Sequence, residues 1–229
     1  MVLSNTRNSA ALALILVVAP ASLGIAARFY LPEIAGQFCF VLTRIWILAL
    51  PIIWLVWVDQ GKFNFTFPRQ QDLVLGAALG LIMFSLIIGG YELIGRQLID
   101  PYTVQESAAQ IGLGNLQIFV AFGVYFTLIN SLIEEYIWRW FVSQQCEILL
   151  SGWGAVGLAA LGFTMHHIVA LHAYFQNPLV VIVGSLGVFL AGVLWSWWFL
   201  RFRSLWSCYV SHALADLAIA LVGWRILFS

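Results

Sequence analysis

Seven long apolar runs divide the chain and dictate what it can fold into. They span about residues 10–27, 38–58, 73–95, 116–133, 153–175, 179–200 and 205–222. An α-helix needs roughly 20 apolar residues to cross the ~30 Å hydrocarbon core of a bilayer. Inside that core every backbone N–H and C=O must be paired within the protein, so helices are the form such runs take. Composition agrees: 62% of the residues are hydrophobic, 9% are charged and the mean hydropathy is +0.96, where a soluble domain is about 25% charged. The expected fold is all-α: a polytopic transmembrane bundle of seven spans with an internal polar cavity. A single transmembrane domain is expected over residues 1–229.

The connecting segments support this layout. Arg7 and Arg28 flank the first run. A signal peptide is the competing reading, because Ala26-Ala27 could end a cleavage site. The run is long for that role and further spans follow at once, so we expect an uncleaved helix. Arg44 is expected to snorkel and Pro51 to kink the second helix. Gly76, Ala77, Ala78 and Gly80 suit close helix approach in the third. Glu92 and Arg96 stand four apart, the spacing of a helical ion pair. Residues 97–115 are polar and are expected to form an interfacial helix or a cover. The fourth run continues without a break through Cys146, longer than a simple span. Turns are expected at Ser151-Gly152 and Asn177-Pro178. Trp195, Trp197 and Trp198 suit the membrane–water interface.

Charge excludes some roles and orients the chain. Ten basic and ten acidic residues give a net charge of zero. No basic stripe exists, so no nucleic-acid partner is expected; the lipid bilayer is the expected surround. With the N-terminus cytoplasmic, that side receives Arg7, Lys62, Arg69, Arg201 and Arg203, against Arg28, Arg96 and Arg225 opposite. This is the sense of the positive-inside rule. Cys39, Cys146 and Cys208 are far apart and fit no disulfide or zinc spacing, so buried free thiols are expected.

Against this background the ionisable residues inside the runs stand out. A charge at the bilayer centre costs about 2.5–3.5 kcal/mol on insertion scales, which makes each a functional candidate. Glu134, Glu135 and Arg139 share the fourth helix, His166 and His167 the fifth, and His212 and Asp216 the seventh. Singly, each reads as a packing contact; three helices carrying acid, histidine and histidine–acid do not. Glu135 and Arg139, four apart, are expected to pair along one helix face. Glu134 points about 100° away and is expected to have no partner at that spacing, which makes it the expected general base. Asp216 is expected to accept a hydrogen bond from His212 and fix its tautomer. His166 and His167 point to different faces, and spacing leaves open which meets Glu134. His172 is expected at the interface. Depth gives a crude test: Glu135 and His167 each lie sixteen residues from Ser151, about 24 Å along a helix. His212 lies nine residues past Arg203, about 14 Å, which agrees less well.

At these residues the chain resembles the CAAX protease and bacteriocin-processing family, also called the Abi family, of intramembrane proteases. The family pattern runs E-E-x-x-x-R, F-x-x-x-H and H-x-x-x-N or D. Here it reads Glu134-Glu135-Tyr136-Ile137-Trp138-Arg139, then Phe163-Thr164-Met165-His166-His167, then His212-Ala213-Leu214-Ala215-Asp216. Arg203-Ser204-Leu205-Trp206 adds to the likeness, which covers about residues 116–222 as a catalytic core; residues 1–115 supply helices that are not diagnostic.

The resemblance selects His167 over His166. It implies that Glu134 with His167 activates a water for attack on a peptide carbonyl, with His212 and Asp216 on the oxyanion side. It also implies a membrane-anchored protein or peptide substrate. The compact chain suggests a bacterial member in the inner membrane, with a prenylated substrate less expected. Many members carry Asn where Asp216 stands; an ionised Asp cannot donate a hydrogen bond, so Asp216 is expected to act by positioning His212. No cofactor is expected. A zinc peptidase with Glu134, His167 and His212 as ligands ranks lower, because no H-E-x-x-H is present. A proton-coupled transporter would be expected to show internal repeats, which the sequence lacks. A non-catalytic scaffold or immunity protein would not require the full motif set.

Overall fold

The computed structural model describes residues 6–61 and 67–228. Lys62, counted in the charge bias, lies outside the described residues. Among the described residues eight helices follow in order: α1 (Arg7–Tyr30), α2 (Glu33–Trp57), α3 (Gln70–Leu98), α4 (Pro101–Gln110), α5 (Leu116–Leu149), α6 (Trp153–Tyr174), α7 (Pro178–Phe202) and α8 (Leu205–Phe228). All but α4 are long and apolar enough to cross a membrane, which gives the seven spans expected. The short α4 is the helix anticipated in the polar 97–115 segment.

Local chemistry sets the ends. Thr6 and Ser9 form a reciprocal capping box on α1. Asn115 caps α5 by accepting from the N–H groups of Gln117 and Ile118 at 2.9 and 3.2 Å. Gly152 takes φ +55° in the expected turn between α5 and α6, a conformation open to glycine. Arg203, between α7 and α8, adopts φ +55° without that freedom. Its guanidinium grips both Glu147 carboxylate oxygens at 2.8 Å, a bidentate clasp that holds the turn.

The described residues form two compact units. One comprises those up to Phe67 with Tyr136–Ala170 and Ser185–Arg203; the other comprises Pro68–Glu135, Leu171–Gly184 and those from Ser204. In the first unit α1 packs on α2: Trp46 donates its indole N–H to Leu16 O at 2.8 Å, and a Cβ on Gly24 would stand 2.0 Å from the Thr43 hydroxyl. Tyr136 OH donates to Leu48 O at 3.0 Å. Trp195 is buried, only 3% exposed, not at the interface as its neighbours Trp197 and Trp198 suggested.

In the second unit the small-residue stripe of α3 packs on α8. A Cβ on Gly76 would meet Ser207 O at 2.7 Å, and one on Gly80 would meet the Ser211 Cα at 2.9 Å. This is the small-xxx-small packing that brings membrane helices close. Glu92 pairs with Arg96 at 3.0 Å as the spacing predicts, and also with Arg225. The buried face of α4, Ala108, meets Leu113 and Phe119, with Leu227 and Phe228 packed against them. None of the three cysteines forms a disulfide, and Cys146 and Cys208 are buried.

Candidate active site

The α5 helix is irregular where its polar residues lie. Tyr125–Asn130 and Glu135–Val142 are π-helical, with an α-helical turn at Ser131–Glu134 between them. Such widened turns are rare and gather at functional sites. At Ser131 the backbone N–H reaches Phe126 O, five residues back, instead of Thr127 O. The Ser131 hydroxyl instead lies 2.7 Å from Thr127 O.

In the second unit this stretch meets α8 and brings four of the expected residues together. His212 Nδ1 lies 2.8 Å from Glu135 Oε1. The acceptor is a carboxylate, so the ring donates there. His212 Nε2 then faces Glu134 Oε2 at 3.7 Å and Asp216 Oδ1 at 3.6 Å. Asn130 donates to Glu134 Oε1 at 3.0 Å, and Ser131 Oγ lies 2.7 Å from Asp216 Oδ2. Glu134, Glu135, His212 and Asp216 are all buried, as are Asn130 and Ser131.

Two expectations change here. The hydrogen bond that fixes the His212 ring goes to Glu135, 77 residues away in sequence, while Asp216 stands at ion-pair distance from the other nitrogen. Glu134 does have a partner at helical spacing: Asn130, four residues before it. Asn130 and Ser131 do not ionise, so the cost of a charge in the membrane does not single them out in the sequence. The signal was present, since they are adjacent polar residues within the apolar run that leads to Glu134. Contact at 2.8 Å also removes the doubt about depth for Glu135 and His212.

The first unit holds the other motif residues. Arg139 is fully buried, its guanidinium 4.3 Å from the Phe163 ring centroid and 5.0 Å from that of Trp195. His167 Nδ1 lies 3.0 Å from Phe163 O. A backbone carbonyl only accepts, so Nδ1 carries a hydrogen, and in the neutral ring Nε2 is then the acceptor nitrogen. This gives the F-x-x-x-H spacing a physical basis, because the residue four before a helical histidine supplies that carbonyl. His166 stacks flat on Trp138, centroids 4.9 Å apart and planes 6° from parallel. His172 is exposed near the end of α6.

Residues 116–218 match the family model Rce1-like, described as type II CAAX prenyl endopeptidase Rce1-like. The match covers 103 of the 229 residues, and over this segment the chain is similar to the CAAX-protease family. No curated protein and no solved structure matches it. The matched segment contains every motif residue from Glu134 to Asp216, together with Asn130 and Ser131. That family consists of membrane proteases, and the seven long apolar helices fit an integral, multi-pass membrane protein.

Proposed function

We propose that the chain is a glutamic-type intramembrane endopeptidase in which Glu134 activates water without a metal. The observation that carries this reading is the division of roles around His212. Glu135 occupies the ring at Nδ1, which leaves Nε2 directed toward Glu134 and Asp216. Glu134 has one oxygen held by Asn130 and the other facing the imidazole.

In this scheme Glu134 removes a proton from water, and the oxygen forms a bond to the peptide carbonyl carbon. The carbonyl oxygen takes up negative charge and meets Nε2–H of His212, whose ring in this scheme carries a hydrogen on both nitrogens. Collapse breaks the C–N bond as the proton held on Glu134 passes to the leaving amine. His167, its tautomer set by Phe163, orients the water through Nε2. General acid–base catalysis of this kind contributes roughly 10²–10⁴-fold. Arg139 and Glu135 are proposed as the structural pair of the first motif. The substrate is a membrane-anchored peptide or protein segment, and the N-terminus is placed on the cytoplasmic side of a bacterial inner membrane.

The test compares Glu134→Ala, Glu135→Ala and His167→Ala in cleavage of a membrane-anchored reporter peptide by protein reconstituted in liposomes. Glu134→Ala is expected to lose at least about 100-fold; undiminished cleavage would refute the scheme. Zinc content and chelator treatment of the active protein separate it from a zinc peptidase: loss of activity with loss of stoichiometric zinc would favour the metal.

A further inference from the structure

The hydroxyl of Ser131 poses a counting problem. It has one hydrogen to give. Two oxygens lie 2.7 Å from it, the backbone carbonyl of Thr127 and Oδ2 of Asp216; Phe126 O follows at 3.2 Å. A backbone carbonyl has no hydrogen. If Asp216 were an ionised carboxylate it would have none either, and one of the two 2.7 Å contacts would be a pair of oxygens with nothing between them. Ser131 is 0% exposed, Asp216 8% and Thr127 9%, and a bare oxygen pair in such a setting is costly.

The backbone decides where the hydroxyl hydrogen goes. In a regular α-helix the Ser131 N–H would pair with Thr127 O. The widened turn sends that N–H to Phe126 O instead. Thr127 O is thereby released from its usual partner, and the Ser131 hydroxyl replaces it. The second hydrogen must then come from the other side.

We propose that Asp216 is held as a neutral carboxylic acid whose Oδ2–H donates to Ser131 Oγ, with Ser131 acting as its positioning residue. Asp216 Oδ1 is then the carbonyl oxygen, presented toward His212 Nε2 at 3.6 Å. The ionisable groups facing Asp216 are His212 on its own helix and Glu134 and Glu135 on α5. A neutral Asp216 leaves His212 opposite two carboxylates instead of three. An asparagine at the same place would do the same job: its N–H₂ would donate to Ser131 Oγ and its carbonyl would face the ring. The arrangement deepens the proposed mechanism, but the hydrogen count does not depend on it.

The test is infrared spectroscopy of the full-length protein in liposomes. Wild type minus Asp216→Asn should show the C=O stretch of a protonated carboxylic acid. Ser131→Ala should shift that band to higher frequency, as expected of a carboxyl that loses its acceptor. A difference spectrum holding only carboxylate bands would overturn the proposal, and so would a band indifferent to Ser131→Ala. Cleavage provides the second arm: Asp216→Leu is expected to lose at least about tenfold more activity than Asp216→Asn. Equal loss in both would also count against a shared donor role. Because the infrared band requires no peptidase activity, failure of the protease reading and failure of this one are told apart.

Discussion

In the second unit His212 is surrounded by Glu134, Glu135 and Asp216, and Asn130 and Ser131 hold the acids in turn. In the first, the buried guanidinium of Arg139 lies over the rings of Phe163 and Trp195, and His166 lies flat on Trp138. The two devices do different things. A hydrogen bond to a charged group fixes the direction of one hydrogen and loses strength steeply when misaligned. A ring face attracts a cation over a broad area and asks little of its orientation. The polar cluster therefore defines individual atoms, as a reacting centre requires. The aromatic cluster keeps a positive charge in place without fixing the direction of any one hydrogen.

The sharpest way to break this comparison is at Glu135. Glu135→Leu removes the acceptor from the buried His212 Nδ1, and breaking a buried charged pair costs about 3–5 kcal/mol. Glu135→Gln keeps a carbonyl oxygen there and should cost clearly less. Thermal unfolding of both variants in detergent micelles measures the difference. Equal loss would mean that the 2.8 Å contact does not hold the ring.

The aromatic device should be weaker. A double-mutant cycle between Arg139→Met and Phe163→Leu is expected to give a coupling of about 0.5–2 kcal/mol, the range of cation–π contacts. The Trp195→Leu cycle, at the longer 5.0 Å separation, should give the smaller value of the two. Zero coupling at both rings would leave Arg139 unexplained by its aromatic surroundings.

These contrasts also show what the sequence could and could not reveal. The seven spans were legible because apolar length alone determines them, and α4 because its polar composition kept it out of the membrane. The Glu92–Arg96 pair and the Ser151-Gly152 turn were local and could be read from spacing. The Glu135–His212 bond was not legible, since it joins residues 77 apart. The π-helical turns were hidden for a different reason: the sequence of α5 is compatible with an ordinary α-helix, and the shift in register is settled by packing. That shift is what releases Thr127 O to Ser131. Trp195 was misplaced because three tryptophans near a helix end look alike in sequence, and only the buried Arg139 beside it shows why one turns inward.

A carboxylate outside the membrane gives the smallest effect and the control for the rest. Asp100 caps α4, accepting from Thr103 Oγ1 at 2.7 Å and from the Tyr102 N–H at 3.2 Å. These two bonds, that from Thr103 first, hold its carboxyl below the ordinary range. A depressed carboxyl stabilises the fold above its unfolded-state value, and that contribution is lost as pH falls through the folded-state value. Fraying of α4 should therefore increase only in acid, below the ordinary carboxylate range. Asp100→Ala should show the same fraying at neutral pH, whereas Asp100→Asn, an equally good cap, should hold the helix and remove its acid sensitivity. Hydrogen exchange at the Tyr102 and Thr103 amides reads the effect. Exchange in Asp100→Ala indistinguishable from wild type at neutral pH would show that the packing of Ala108 against Leu113 and Phe119, not the cap, fixes α4 in place.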